Sequence, residues 1–249
     1  KTIDLIDKIA TEKIEPAIEQ AMTKLANYTN AFANKLDFKR EIIADKGVFV
    51  AKKRYALNVY DDEGLRLTKP KLKVMGLEIV RSSTPGPIRE SLREAVRLIL
   101  TSDEETLHSF IENTRKEFND KTVEDIAFPR GCNNMAKYKN TADIYSKGTP
   151  IHVRGGLLYN YYIDKLNLKL KYERIQEGDK IKFVYLKEPN VIGENTIAFA
   201  GKLPTEFELE KYVDYDTIWQ KAFVDPLDNI LKPIGWHTEP QATLEDLFA

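Results

Sequence analysis

A chain of 249 residues, 42% hydrophobic and 31% charged, is long enough for one large domain or two modest ones with real cores. It holds no apolar run near the roughly 20 residues that cross a bilayer, one cysteine (Cys132), which excludes an internal disulfide and fits a reducing cytosol, and three scattered histidines, too few for a zinc site. The formal net charge of -1 hides a basic island: from Lys46 to Arg81, nine Lys and Arg stand against four Asp and Glu, a balance that suits a polyanionic partner.

The opening "KTIDLIDKIATEKIEPAIEQ" is charged throughout and predicts no targeting peptide; starting at Lys1 without methionine, it predicts a chain processed or cut from something longer. Ile3, Ile6, Ile9, Ile14, Ile18, Ala21, Met22 and Leu25 trace an amphipathic helix with a kink or break at Pro16. From Leu36, "LDFKREIIA" and "KGVFVAKKRYALNVYD" read as strands with a turn at Lys46-Gly47. "DDEG" at 61–64 reads as a second tight turn leading into the strand region "LRLTKPKLKVMGLEIV".

"RSSTPGPIRE" marks a boundary, with Thr84 predicted as N-cap and Pro85 in the first helical turn. Ile88, Leu92, Ala95, Val96 and Ile99 form the apolar stripe of the helix that follows. Arg89, Arg93 and Arg97, interleaved with Glu90 and Glu94, read as its solvated face. A second helix is predicted through "TSDEETLHSFIENTRKEF", capped near Ser102 with acids in its first turn. Further helices are expected around 133–139, 151–164 and 214–231, and short strands at "KIKFVYLK" and "TIAFA". The class expected is α+β: a helix packed on an antiparallel sheet to about residue 80, followed by a mainly helical piece.

"AKKRY" is the sharpest internal feature. On an extended strand Lys52 and Arg54 would share one face and Lys53 and Tyr55 the other. Such a strand end could reach a phosphate backbone, with Tyr55 as an amphipathic contact. It could equally be an edge guarded by lysines against strand addition.

The ordered blocks "KREIIA", "AKKRYALNVYDDEG", "PKLKVMGLE" and "SSTP", with "IEPAI", "IHVRGGLLYN" and "FVDPL", closely resemble the C-terminal part of T-even-type bacteriophage replicative DNA polymerases of family B. Residues 119–150 and 165–210 match only loosely. The resemblance implies the end of the palm over 1–81, a thumb over 82–240 and a sliding-clamp-binding tail over 241–249. Lys52, Lys53, Arg54 and Tyr55 fall on the family's palm motif that grips the primer–template duplex, and Arg81 on a basic position near DNA at the palm–thumb junction. His152, Arg154 and Lys137 become backbone contacts of the thumb; for His152 the alternative is a half-buried structural histidine.

Phosphoryl transfer in that family uses Mg2+ held by palm aspartates in a Y-G-D-T-D-S turn and a D-x-x-S-L-Y-P strand. Neither occurs here, and "VDYDT" at 213–217 reads as a helix cap. Glu41 falls on a palm carboxylate near the metals, but Lys39 stands where the family tends to place an aspartate. The resemblance therefore implies part of a nucleotidyltransferase, inactive alone, whose metal ligands lie in a separate N-terminal polymerase part, acting in the cytoplasm of an infected bacterial cell. Gln241, Leu244, Leu247 and Phe248 fit the peptide that sliding clamps bind in an apolar pocket; a terminal helix docking on its own domain is the alternative. Two other readings stay open: a non-enzymatic, clamp-associated DNA-binding module, and a scaffold whose basic island meets an acidic protein. Nucleotide binding is not predicted, since no G-x-x-x-x-G-K-[ST] loop occurs and Gly155-Gly156 is weak support.

Overall fold

The computed structural model of the protein describes residues 1–241. The chain forms two compact units, Lys1–Met75 and Gly76 onward, each combining helices with antiparallel sheet, the α+β class expected.

The first unit begins with helices α1 (Thr2–Ile9) and α2 (Glu15–Tyr28), joined without a break by a π-helical turn, Ala10–Ile14. A proline inside a helix lacks a donor, and its ring presses on the carbonyl four residues back. Ahead of Pro16 the helix widens instead, so that the Glu15 N–H reaches the Ala10 carbonyl. The apolar stripe is only partly covered: Ile3, Ile18 and Met22 are half-buried and Ala10 is buried in the π turn, whereas Ile6, Ile9, Ile14 and Leu25 are exposed. Charge ties the helix down, through Asp7 to Arg40 at 2.7 Å and Asp4 to Arg66 at 3.2 Å.

Strands β1 (Ile42–Ala51), β2 (Arg54–Asp62) and β3 (Leu65–Met75) form a sheet in that order. Lys46-Gly47 is not a turn; it lies within β1, where Gly47 pairs with Leu57. A Cβ on Gly47 would sit 2.5 Å from Leu57 Cδ2, so the glycine serves to let Leu57 lie across β1. The chain reverses instead at Lys52-Lys53, with Ala51 opposite Arg54. The "DDEG" turn is as predicted: Glu63 and Gly64 have φ of 52° and 86°, as a two-residue hairpin loop requires. Asp61 fixes this turn by accepting the Gly64 N–H at 2.9 Å. Its carboxylate is buried, with Arg40 Nη1 at 2.7 Å and Arg66 Nε at 3.2 Å. On edge strand β3 the pairing lapses between Arg66 and Lys71, and Pro70, which cannot donate, falls in that bulge.

In the second unit the first helix is α3 (Gly86–Thr101). Its N-cap is Pro85 and not Thr84, because the Pro85 carbonyl accepts the first helical hydrogen bond, from Arg89 N–H at 3.0 Å; Thr84 is buried just ahead of it. The predicted stripe is buried throughout, while Arg93 and Arg97 pair with Glu90 and Glu94 on the outside. Helix α4 (Glu104–Asn119) is capped by Asp103, one residue past Ser102, through the Thr106 N–H at 2.9 Å.

There follow α5 (Val123–Ile126), β4 (Phe128–Gly131), α6 (Met135–Tyr138), the small pair β5 (Lys139–Asn140) and β6 (Ile144–Tyr145), and α7 (Ile151–Lys165). Strands β7 (Lys180–Tyr185) and β8 (Thr196–Phe199) complete a sheet of order β4-β7-β8. Helix α7 lies so close to β8 that a Cβ on Gly155 would stand 2.8 Å from the Ala198 backbone nitrogen, which accounts for Gly155-Gly156 as packing. Helix α8 (Tyr215–Trp219) leads through a second π turn, Gln220–Val224, into α9 (Asp225–Leu231). In "VDYDT", Asp214 caps α8 by accepting the Thr217 N–H at 3.0 Å, and Asp216 pairs with Arg115 and Lys187.

Replacing Asp61 by Ala leaves Arg40 and Arg66 only their pairings with Asp7 and Asp4 and should cost about 3 kcal/mol, read as a lower urea midpoint. Gly155→Ala should cost about 1–3 kcal/mol in the same assay by wedging α7 from β8.

Candidate nucleic-acid interface

The "AKKRY" segment is a hairpin end, so the alternation of faces expected of a strand does not run through it. Lys52 and Lys53 are the two loop residues, and Lys53 takes the left-handed conformation with φ of 62°. Glycine or asparagine is the usual occupant of such a position. A lysine there places a second ammonium beside the first, both exposed and, among the described residues, both without a carboxylate partner.

Arg54 and Tyr55, half-buried, open β2. Tyr55 sits opposite Phe49, their ring centroids 5.7 Å apart, and Phe49 is 66% exposed. The hairpin tip thus carries cations beyond an aromatic pair. Phe49 was not singled out from sequence, because its pairing with Tyr55 depends on where the chain turns.

The basic island divides in two. Arg66, Lys73 and Arg81 are paired with acids, whereas Lys46, Lys52, Lys53, Lys69 and Lys71 are exposed with no acid partner among the described residues. Glu41 is exposed and engaged by Lys73 Nζ at 3.2 Å, which also bonds Asp62 at 3.1 Å. The hydrogen bond to Asp62, reinforced by Glu41 against the effect of burial, holds the Lys73 pKa above its ordinary value. Among the described residues no three His, Cys, Asp or Glu side chains converge as metal ligands, so the donors present do not fit a Mg2+ site.

In the second unit His152 and Arg154 share the start of α7. His152 is half-buried with its ring 6.4 Å from Phe183; burial first, and the charge of Arg130 second, hold its pKa below the ordinary histidine value. Arg154 bonds the Asn195 amide oxygen through Nη2 and stands 5.6 Å from the centre of the Tyr145 ring, whose hydroxyl donates to Glu194 at 2.7 Å. Lys137 is exposed on α6, with Nζ 5.1 Å from the Tyr138 ring centre. Arg81 is exposed and bridged to Glu78 at 3.3 Å. Gln241 is exposed, while Leu244, Leu247 and Phe248 lie outside the described residues. The structure therefore brings together Lys52 with Lys53, Arg54 and Tyr55, whereas His152 and Arg154, two residues apart on α7, turn to different rings, Phe183 and Tyr145. Arg130, beside His152, was missed because it falls where the resemblance is loose.

No protein-family model matches the chain. Over 258 aligned residues it is 34% identical to a DNA-directed DNA polymerase of Enterobacteria phage T4, and 35% identical to that of Escherichia phage RB69. Each alignment covers 99% of this chain. The chain resembles T-even-type phage DNA polymerases along nearly its whole length. A DNA polymerase of Methanocaldococcus jannaschii is 26% identical over 92% of the chain. The chain spans only 28% of the length of either phage relative and 12% of the archaeal one.

Because the folded pKa of His152 is depressed, the unfolded chain takes up that proton first as the pH falls. Stability associated with His152 is thus present above the ordinary histidine range and lost as the pH drops through it. An NMR titration should place its pKa below the ordinary value, and Arg130→Gln should raise it.

Proposed function

We propose that this chain is the end of the palm and the thumb of a family B DNA-directed DNA polymerase of T-even type, gripping the primer–template duplex for an active centre that lies in an N-terminal polymerase part. What carries the reading is the likeness over 99% of this chain to 28% of two phage DNA polymerases. The hairpin end supports it, since Lys52 and Lys53 carry charge that no acid in the described residues offsets. Arg54, Tyr55 and Arg81 in the same stretch, with Lys137, His152 and Arg154 in the second unit, serve as backbone contacts, and Glu41 is a palm carboxylate engaged by Lys73. Cations of this kind hold a duplex without reading its sequence.

The exposed stripe of Ile6, Ile9, Ile14 and Leu25 supports an N-terminal part that covers it, and that part supplies the carboxylates that hold Mg2+. When bound there, the metal ions stabilise the attacking and leaving oxygens of nucleotidyl transfer. The segment from Gln241, with Leu244, Leu247 and Phe248, tethers the chain to a sliding clamp and raises processivity through effective concentration.

The experiment mixes this chain with the upstream remainder of such a polymerase and follows primer extension. Neither polypeptide should extend alone, and the mixture should. Lys53→Ala should weaken duplex binding and flatten its log–log salt dependence by about one unit, and Tyr55→Ala should lower extension. Adding the clamp should lengthen the products, and Leu247→Ala with Phe248→Ala should abolish that gain. Duplex and clamp binding without any complementation would instead favour a non-enzymatic DNA-binding module.

A further inference from the structure

One face of α7 lines an open cavity. Leu157, Asn160, Tyr161 and Asp164, three and four residues apart, border a hollow of about 840 Å³, a size that suits a small ligand or a few side chains of a partner. The segment 174–177 forms a second wall, and α6 with the β5–β6 hairpin forms a third. The walls are pinned to one another. Asn160 is buried, and its amide clasps the Ile175 backbone, donating to the carbonyl at 2.8 Å and accepting the N–H at 2.9 Å. Glu177 accepts the Asn134 and Met135 N–H groups at the start of α6, and the Tyr145 hydroxyl on β6 donates to Glu194 at 2.7 Å. A cavity braced in this way does not have to be opened by its ligand.

The lining decides what fits. Met135, Leu157 and Ile175 are buried and give the hollow an apolar floor, while Tyr161, 41% exposed, stands at its rim. Four acids line it, Asp143, Asp164, Glu177 and Glu194, against two bases, Lys139 and Arg174. Arg174 is already engaged with Asp164, which Lys169 also approaches at 3.3 Å. Asp143 and Glu194 have no Lys or Arg at ion-pair distance among the described residues; the first is exposed and the second half-buried. Each is tied to Tyr145, Glu194 at its hydroxyl and Asp143 through its carbonyl, which accepts the Tyr145 N–H at 2.7 Å. Arg154 stands 5.6 Å from the centre of that ring but bonds Asn195. An excess of carboxylates around an apolar floor repels phosphate and favours a cation carried on a hydrocarbon stem.

We propose that this cavity is a docking site for a partner protein, which inserts a segment carrying an arginine or lysine next to an apolar side chain. The apolar side chain rests on Met135, Leu157 and Ile175, and the cation meets Asp143 and Glu194. Charge complementarity singles out this occupant, because a nucleic-acid strand would bring its phosphates up to four carboxylates. None of the residues proposed to grip the duplex lines the cavity, so the inference does not rest on that grip.

The test adds two peptides, acetyl-Leu-Arg-Leu-amide and acetyl-Leu-Glu-Leu-amide, to the full chain and follows the Ile144, Leu157 and Ile175 methyl groups by NMR. The basic peptide should move these signals saturably, and the acidic one should not. Asp143→Asn and Glu194→Gln should each weaken binding of the basic peptide by about threefold, as befits a partly exposed ion pair, and added salt should shrink the difference. Both substitutions keep the size of the side chain and an acceptor oxygen, so the walls stay braced. Signals that neither peptide moves, an equal response to both, or affinity unchanged in both variants would overturn the docking site. So would a single-stranded DNA oligonucleotide that moves the same signals more readily than the basic peptide. Duplex binding by the chain would stand in each of those cases, since other residues carry it.

Discussion

The buried ion pair between Arg40 and Asp61 is the joint on which the first unit is built. Asp61 belongs to the central strand and to the "DDEG" turn, and Arg40 carries its charge on to Asp7 of α1. Helix and sheet meet through charge as well as apolar contact, and the helix keeps Ile6, Ile9, Ile14 and Leu25 exposed. The Asp61 and Asp62 carboxylates and the cations they hold collect at one end of β2, while Lys52 and Lys53 stand beyond its Arg54 end, roughly 30 Å away for a nine-residue strand; Lys46, Lys69 and Lys71 line the strands between.

The second unit keeps positive charge available by a different route. At the hairpin the ammonium groups are simply exposed and solvated. In the second unit the Arg154 guanidinium lies against the Tyr145 ring and bonds the Asn195 amide oxygen, and that of Arg130 is held by the Ser83 and Pro129 carbonyls. Solvated ammonium groups exchange readily for counter-ions and bind diffusely, whereas a fixed planar guanidinium has already lost much of its rotamer freedom.

Much of the fold was legible because it is local. The α3 stripe, the acids that open α4, the strands "KIKFVYLK" and "TIAFA", and the "DDEG" turn each announce themselves within a few residues. Lys46-Gly47 misled because its glycine answers a contact with Leu57, which lies ten residues on, and not a turn. The true reversal at Lys52-Lys53 has no turn-forming residue, so only the pairing of β1 with β2 locates it. "AKKRY" and "IHVRG" were recognisable as blocks, but their geometry was not. The place of Arg130 could not be read at all, since its bonds to the Ser83 and Pro129 carbonyls and its nearness to His152 depend on how β4 sits in the fold.

The two π turns also bear on how helical patterns are read. In both, an acidic residue just before proline, Glu15 or Asp225, donates its N–H to a carbonyl five positions back, Ala10 or Gln220. A widened coil holds more residues than an ordinary one, so it absorbs a surplus in spacing. From Ile9 to Ile14 the apolar interval is five, a step that would throw the second isoleucine off a uniform α-helix face. Accommodated within Ala10–Ile14, the long interval becomes a phase correction, whereas across Gln220–Val224 the buried residues keep intervals of three and four, so the element both turns share is the proline one residue past the acid.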